Sequence, residues 1–527
     1  MRKNGAGFGW TLLLALGGGA AWAMCFAREG FLLLPFLGLT PLVALLPRRR
    51  PIVASWLFGV AFWAVSTSWL VPTVHTFGGL SKGLGAALFA LLCGYLSLDF
   101  ALFGWLGSRL WRRGGVWRLA TVPSLWVVLE WKRGVFFGGY LWNLAGYAAI
   151  DVPGALDAAA WLGAFGLSFV LALSAVAVCL GVLERRWRTM SIVGVGLVLL
   201  LASANLSAPT DAGVRIEDSA PPSAPEADDG LRRVAIVQPA AKLTSVPIEI
   251  GANYRRMVNL SRAACRGDVV SDGVPRRADE PTLVLWPESG VWPGTWESSP
   301  GVRRNVYQLV ADGCPVLLNS PVIEDGEQFN SVLLIAEGGR ESHYAKRRLV
   351  PWGEYVPLAD LFPFVGKLAR MASDFTPGRS TALLPWSDER LAAAVCYEVI
   401  FPMLVADQAR DGATLLVTVT NDGWYGDSWA PWQHLRAARF RAAETRRPML
   451  RAALTGVSAV IDARGRVAAE LGVGERGLLT ARVGGSGRQT LFTRAPRALP
   501  TAALGVVVFA ILWGLRRPGS ATATTAS

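Results

Sequence analysis

Apolar residues are concentrated in long stretches, most of which precede residue 208. The stretches cover residues 8–27, 31–46, 51–72, 83–107, 119–131, 161–183, 190–207 and 501–515. Several approach the roughly 20 residues that a helix needs to cross hydrocarbon, whereas the second, fifth and eighth are short. The pattern predicts a membrane domain at 1–207 with seven transmembrane helices, and an eighth transmembrane helix at 501–515. The first stretch alone would also fit a cleaved signal peptide, but the spans that follow favour a membrane helix.

The pattern changes beyond residue 207. Residues 208–230 are rich in Pro, Asp and Glu, which predicts a linker. From 231 to 490 short apolar runs alternate with helical stretches, and the runs cover 234–238, 282–286, 315–319, 331–335, 391–396, 414–420 and 458–461. Such runs are typical of strands inside a sheet that helices cover. We therefore expect a soluble α/β domain at 231–490, and a disordered tail at 518–527.

Composition and charge agree with a membrane protein. Apolar residues make up 52% of the 527 positions and charged residues only 17%, which excludes a disordered or wholly soluble chain. The net charge of +13 would suggest a nucleic-acid partner, but the basic residues of the apolar part stand in short clusters between the spans. With the N-terminus inside, fourteen of them fall on the cytoplasmic side and four on the other. Both termini are therefore predicted in the cytoplasm and the soluble domain on the periplasmic or equivalent face.

Other charged groups and the cysteines suggest structural roles. Asp99 and Glu130 lie near predicted span ends, so pairing at the interface with residues such as Lys132 and Arg133 is enough to explain them. Residues 126–147, rich in Trp and Gly, are expected to form an interfacial loop. Several arginines between 436 and 451 are expected to lie on the surface of a helix and of the segment that follows it.

The six cysteines show no zinc-ligand spacing. Of these, Cys265 and Cys314 are taken as free thiols, although an oxidising compartment would allow a disulfide.

Three segments of the soluble part place a reactive side chain at the end of an apolar run. They carry Glu288, Lys346 and Cys396. A free cysteine has a pKa of about 8.5 and needs a base or a positive charge nearby to act as a nucleophile. Glu288 can take the thiol proton, and Lys346 can stabilise the thiolate and a tetrahedral oxyanion, helped by the backbone N–H of Tyr397. The three histidines, His75, His343 and His434, show no pattern that supports a Cys-His pair.

These motifs resemble the carbon-nitrogen hydrolase (nitrilase) superfamily, and with the eight spans the chain resembles its membrane-fused branch, the apolipoprotein N-acyltransferases. The resemblance rests on Trp286-Pro287-Glu288, Lys346-Arg347 with Leu349-Val350-Pro351-Trp352-Gly353-Glu354-Tyr355-Val356-Pro357, Cys396-Tyr397-Glu398, and Thr420-Asn421-Asp422-Gly423-Trp424-Tyr425-Gly426. It implies an αββα sandwich. It also implies a Glu288-Lys346-Cys396 catalytic triad, with Glu354 and Glu398 in support and no cofactor or metal.

The reaction implied by this resemblance is a ping-pong acyl transfer at the bacterial inner membrane. A phospholipid would acylate Cys396, and the amine of an S-diacylglyceryl-cysteine on an apolipoprotein would then accept the chain. The enzyme is expected to act as a monomer. Candidate substrate-binding residues are Asn421, Trp424, Trp292, Phe362 and Phe364. Ala240 and Leu454 replace the Asn usual in the family, and a Trp common after the first strand is missing, which puts lipid contacts in doubt.

Two other functions remain open from the sequence. The same triad would serve a membrane-tethered amidase or nitrilase in which water accepts the acyl group. A transporter or scaffold whose soluble domain only binds a ligand would not need the triad at all.

Overall fold

The computed structural model describes residues 9–209, 213–216, 230–241, 247–266, 282–290, 294–356 and 374–515. A bundle of apolar helices forms its first part, beginning with a π-helical turn at Leu13–Gly17. The α-helices that follow are α1 (Gly18–Met24), α2 (Leu34–Gly38), α3 (Thr40–Ala44), α4 (Pro51–Ser66), α5 (Leu70–Gly78), α6 (Lys82–Leu96), α7 (Leu98–Arg112), α8 (Trp117–Arg133), α9 (Ala155–Glu184) and α10 (Trp187–Leu206). Short 3₁₀ helices at Phe136–Gly138 and Ala145–Ala149 lie between α8 and α9.

Three helical segments in the described residues are long and apolar enough to cross a membrane. They are Lys82–Arg112, Ala155–Glu184 and Trp187–Leu206, and the pair Pro51–Ser66 and Leu70–Phe77, bent by 57°, would make a fourth if it is one span. Three further apolar helices, Gly9–Met24, Leu34–Ala44 and Ala498–Trp513, are shorter. The count of eight spans stays a prediction.

Residues 126–133 differ from the expected interfacial loop, because they form the end of α8. The loop begins only after Arg133. At this end of the helix Lys132 is ion-paired with Asp99, and Arg133 lies 4.0 Å from the carboxylate of Glu130. Both acidic groups therefore have a cationic neighbour.

The soluble part contains thirteen described strands in two mixed sheets. The strands are β1 (Val214–Arg215), β2 (Arg232–Gln238), β3 (Thr282–Leu285), β4 (Val316–Glu324), β5 (Glu327–Ile335), β6 (Glu341–Ala345), β7 (Leu384–Trp386), β8 (Glu389–Val395), β9 (Leu415–Thr420), β10 (Met449–Ala453), β11 (Ser458–Ile461), β12 (Val467–Leu471) and β13 (Gly477–Val483). The first sheet has the order β1-β13-β2-β3-β4-β5-β6 and the second β12-β11-β10-β9-β8-β7. The central strands β2-β3-β4 and β8-β9-β10 run parallel.

The two sheets pack face to face between layers of helices. Residues of both sheets form one buried cluster between them. The helices described in this part are α11 (Pro247–Arg266), α12 (Pro300–Ala311), α13 (Pro402–Arg410), α14 (Ala430–Thr445) and α15 (Leu491–Arg494), and a last apolar helix, α16 (Ala498–Leu515), follows it. The outer face of the first sheet packs on α11 and α12, and that of the second on α13, α14 and the membrane bundle. The predicted αββα sandwich is confirmed.

The predictions for one pair of cysteines and for a group of arginines are wrong. Cys265 and Cys314 are joined by a disulfide, with Cα atoms 6.0 Å apart, because the end of α11 meets the segment just before β4. The arginines on and after α14 do not decorate a solvent-facing helix: Arg441, Arg447 and Arg451 are fully buried. Their positions follow from the place of α14, which lies between the second sheet and the membrane bundle.

Candidate active site

Glu288, Lys346 and Cys396 follow β3, β6 and β8 respectively, so the two facing sheets bring them to one place. The Lys346 ammonium lies 3.6 Å from the Glu288 carboxylate, and the Cys396 thiol interacts electrostatically with both. Their exposed fractions are only 7% for Glu288, 1% for Lys346 and 5% for Cys396. In this enclosed setting charges act on one another far more strongly than in water.

The backbone of Cys396 turns sharply where β8 ends. Its φ of +50° lies in the left-handed region, which costs a non-glycine residue about 1–3 kcal/mol and persists only where the surroundings hold it. A 3₁₀ helix, Cys396–Ile400, starts at this residue. The first N–H groups of a helix have no partner within it, so backbone donors such as that of Tyr397 are available to another acceptor at this turn.

The Lys346 ammonium is held between two carboxylates. It donates a hydrogen bond of 2.9 Å to Glu354, whose other oxygen accepts the N–H of Val350. Burial alone would lower the pKa of Lys346, but the carboxylates of Glu354 and Glu288 raise it above its usual value. Lys346 therefore stays a cation at neutral pH.

Asn330 completes this arrangement and has no sequence motif that would have revealed it. Its side-chain amide donates to Glu288 at 3.2 Å and to Glu354 at 2.6 Å. Its oxygen accepts a hydrogen bond of 2.7 Å from Asn319, which also accepts the N–H of Ser289. The only signal in the sequence is an Asn in each of two adjacent apolar strands.

Glu398 connects the segment that carries Lys346 with the segment that carries Cys396. One carboxylate oxygen accepts the N–H groups of Arg347 and Arg348, at 2.7 and 3.2 Å, and the hydroxyl of Tyr344. The other accepts the N–H of Val395 at 2.8 Å. Burial raises the pKa of Glu398. Glu398 thereby fixes the segment that carries Cys396 relative to the segment that carries Lys346.

The predicted substrate-binding residues lie in different places. The Asn421 N–H donates to Glu288 at 3.0 Å, so this residue lies inside the site. Trp424 is 37% exposed, and its ring lies 4.8 Å from that of Phe77 in the membrane bundle. Trp292, Phe362 and Phe364 lie outside the described residues.

The surroundings of the Cys396 thiol favour its protonated form. Burial raises its pKa well above the usual value and the Glu288 carboxylate raises it further, while Lys346 acts in the opposite direction. Nucleophilic attack therefore requires a base that removes the proton during the reaction, which is the part that the neighbouring Glu288 can take.

The pH dependence of thiol alkylation tests this protonation state. With the raised pKa, the rate at which iodoacetamide modifies Cys396 should be low at pH 7 and still rise with pH above pH 9. Peptide mapping identifies the modified cysteine, and free N-acetylcysteine serves as the reference thiol. A rate that levels off below pH 8 would show a preformed thiolate and contradict the assignment.

The membrane bundle supplies one wall of the site. The Tyr397 hydroxyl donates a hydrogen bond of 2.5 Å to the carbonyl of Gly139, in the loop after α8. The ring of Tyr425, which interacts electrostatically with Cys396, lies 4.7 Å from the ring of Trp69 and 5.9 Å from that of Trp142. Gln433 accepts both indole N–H groups, at 3.2 and 2.7 Å. The site is thus closed by aromatic side chains from the membrane part.

His434 is a further neighbour that the sequence did not single out. Its ring lies 2.9 Å from the carbonyl oxygen of Cys396 and 3.0 Å from the carboxylate of Asp422. The motif around it shows no spacing typical of a catalytic pair, and only packing of α14 against the second sheet places it there. Within the described residues, no group of three His, Cys, Asp or Glu side chains is arranged to hold a metal ion.

Two family comparisons match the two parts of the chain. Residues 233–490 match the carbon-nitrogen hydrolase family, and residues 18–177 match the N-terminal domain of apolipoprotein N-acyltransferase. The soluble part therefore matches the carbon-nitrogen hydrolase family, in agreement with its two facing sheets. The amidase of Nesterenkonia sp. AN1 is a structural neighbour, with 22% identity, 52% of this chain and 98% of that chain covered, and a TM-score of 0.37.

Relatives that match over both parts define the family more narrowly. The apolipoprotein N-acyltransferase of Methylococcus capsulatus is 33% identical over 491 residues, covering 89% of each chain. That of Pseudomonas syringae pv. tomato is 33% identical over 448 residues, covering 82% of each. The chain belongs to the apolipoprotein N-acyltransferase family.

Proposed function

We propose that this protein transfers an acyl chain from a membrane phospholipid to the N-terminal amine of an S-diacylglyceryl-cysteine on an apolipoprotein. Cys396 carries the chain as a thioester between the two steps. Membership in the family supports acyl transfer in lipoprotein maturation. The residues and the order of steps are our assignment.

One observation carries the choice of a lipid donor. The wall of the site opposite the soluble domain is built from the membrane bundle, through Trp69 and Trp142 at Tyr425 and through Phe77 at Trp424. The Thr73 hydroxyl also donates to the carbonyl of Trp424 at 2.9 Å. An amidase for small soluble substrates gains nothing from such a wall, whereas an acyl chain entering from a bilayer needs apolar surface along its path.

In the first step the thiol sulfur attacks the carbonyl carbon of the phospholipid ester while Glu288 takes the thiol proton. Lys346 and the backbone N–H of Tyr397 stabilise the oxyanion. The carbon–oxygen bond then breaks, and Glu288 returns the proton to the leaving alkoxide. The products are a lysophospholipid and a thioester on Cys396.

In the second step the apolipoprotein amine attacks the thioester. Glu288 accepts a proton from the amine, the carbon–sulfur bond breaks, and the departing Cys396 sulfur is protonated again. The product amide is less reactive than the thioester, so this transfer runs downhill. Both half-reactions use the same side chains and require no cofactor.

We also propose that the soluble domain faces the periplasm, with both termini in the cytoplasm, and that the enzyme acts as a monomer in the inner membrane. The charge distribution of the loops supports this orientation. The disulfide between Cys265 and Cys314 agrees with it, since disulfides persist in oxidising compartments.

The assignment can be tested with the purified protein in mixed micelles. A phospholipid labelled in its sn-1 acyl chain should leave a hydroxylamine-sensitive label on Cys396. The label should move to a diacylglyceryl-cysteine peptide with a free amine, and should stay on the protein when that peptide is N-acetylated.

The same experiment separates transfer from hydrolysis. Release of labelled fatty acid at the same rate with and without the free-amine peptide would contradict the proposal, and release of ammonia from short amides would favour an amidase. Absence of any label on the protein would reject the thioester.

A further inference from the structure

A buried polar cluster lies directly behind the nucleophile. It consists of Asp422, His434 and Arg451, each at most 1% exposed. The Arg451 guanidinium donates to one oxygen of Asp422 at 2.6 Å, and the other oxygen lies 3.0 Å from Nδ1 of His434. Nε2 of His434 lies 2.9 Å from the carbonyl oxygen of Cys396. Since a carbonyl can only accept, Nε2 donates this hydrogen bond.

This hydrogen bond acts on the group that would bind the oxyanion. The carbonyl of Cys396 and the N–H of Tyr397 belong to one peptide unit, which is planar, so its carbonyl and N–H point in opposite directions. Fixing the carbonyl at His434 therefore fixes the direction of the N–H. A hydrogen bond accepted by the carbonyl also polarises the peptide unit and makes its N–H a stronger donor.

We infer that His434 is a positioning residue, which orients and polarises the Tyr397 N–H as the oxyanion donor through the carbonyl of Cys396. Asp422 and Arg451 hold the imidazole from its other side. We place His434 outside the residues that contact substrate, and its direct hydrogen bond to the Cys396 segment is the one to this peptide unit. The inference rests on the proposed use of Cys396 as the nucleophile.

Further contacts anchor the cluster, including the hydroxyl of Thr420, which also hydrogen-bonds with the Cys396 thiol. Arg451 donates to the carbonyl of Val457 at 3.0 Å, and the Thr420 hydroxyl donates to Asp422 at 2.9 Å. Gly456 packs so closely that a Cβ there would lie 2.3 Å from an oxygen of Asp422. Even an Ala at position 456 would therefore displace this carboxylate, and with it the imidazole.

The same cluster also reaches the second catalytic partner. Asp422 directly follows Asn421, whose N–H donates to Glu288 at 3.0 Å. A single buried group of side chains thus sets the peptide unit at the nucleophile and the segment that orients the base.

The experiment measures the acylation rate of Cys396 in His434→Leu and His434→Gln. His434→Leu removes the donor and should slow single-turnover acylation by labelled phospholipid about 100-fold, with KM changed less than about threefold. His434→Gln, whose amide N–H can reach the carbonyl of Cys396, should recover at least about tenfold of that loss. Gly456→Ala should show an intermediate rate.

Thr445→Val is the matched control, because it removes a buried hydrogen bond of 2.8 Å to Arg441 on the same helix without touching the cluster. It should acylate at the wild-type rate. Acylation of His434→Leu at the wild-type rate would overturn the inference. Equal slowing of His434→Leu, His434→Gln and Thr445→Val would also overturn it, since this would reveal a general loss of packing.

An assay with a small activated ester tests this inference independently of the proposed lipid donor. The burst of p-nitrophenol from p-nitrophenyl butyrate reports attack by Cys396 without any lipid donor. If the wild-type enzyme gives a burst but takes no label from phospholipid, the lipid donor is rejected. The burst rates of His434→Leu and His434→Gln would still test the role of His434 at the oxyanion donor. A burst that is unchanged in His434→Leu would reject the inference alone.

Discussion

Cys396→Ala is expected to abolish acyl transfer, with a rate lower by roughly 10⁵-fold or more, because no other group can form the covalent intermediate. The folded state should survive, since the change removes one sulfur from a side chain that is 5% exposed, and the free energy of unfolding should fall by only about 1 kcal/mol. The measurement is the hydroxylamine-sensitive label from phospholipid, together with thermal unfolding in detergent.

Cys93→Ala provides the matched control for this prediction. Cys93 is also a buried free cysteine, with 2% exposure, but it lies in α6 of the membrane bundle. This variant should retain both the label and the transfer rate. A labelled Cys396→Ala enzyme would contradict the assignment of the nucleophile.

Lys346→Met is expected to reduce both stability and catalysis. The change leaves the carboxylates of Glu288 and Glu354 in a buried site with only Asn330 donating to both. An uncompensated buried charge of this kind should lower the free energy of unfolding by about 3–5 kcal/mol. Loss of the cation facing the oxyanion should slow acylation by about 10³-fold. Unfolding in detergent and single-turnover labelling measure the two effects separately.

A second substitution distinguishes the structural part of the Lys346 effect from the catalytic part. In Lys346→Met combined with Glu354→Gln one of the two unpaired charges is gone, so most of the lost stability should return while acylation stays slow. Recovery of the wild-type rate in the double variant would show that the ammonium acts only on folding. Arg410→Met, which removes an exposed arginine from its ion pair with Asp407 while Arg497 stays paired with that carboxylate, should change stability by less than about 1 kcal/mol and leave acylation unchanged.

The strands and the long helices were largely predictable because burial leaves a local pattern. β3 and β9 are central parallel strands with both faces covered, so their residues form continuous apolar runs. α9 begins at Ala155, before the span predicted at 161–183, and a kink with non-helical backbone at Gly163 separates its first turns from the rest. The extra turns include Asp157, a charged residue that local hydropathy places outside a span. It is accommodated because Arg446 and Arg464, nearly 300 residues away in the chain, donate to its carboxylate.

The buried arginines illustrate why the remaining features were not predictable. A periodicity argument assigns charged residues to the solvent-facing side of a helix. Arg436 instead donates to the carbonyls of Cys25 and Ala27 at 2.7 and 2.5 Å, and Arg447 donates to that of Ala413. These acceptors come from distant segments, and no window along the sequence contains both partners.

The sequence by itself predicted an apolar, helical first part and an α/β second part. It also predicted that a Glu, a Lys and a Cys lie at the ends of strands. Helices, strands and short motifs of this kind are set by residues that lie close together in the chain, so they can be recognised in the sequence. Only the tertiary structure decided that Asn330 shares the Lys346 site, that His434 stands behind the carbonyl of Cys396, and that the membrane helices supply one wall of the site. These contacts join separate strands and helices, with partners 24 residues apart for Asn330 and Glu354, 38 apart for Cys396 and His434, and 364 apart for Trp69 and Gln433. Only the packing of the whole fold brings such partners together.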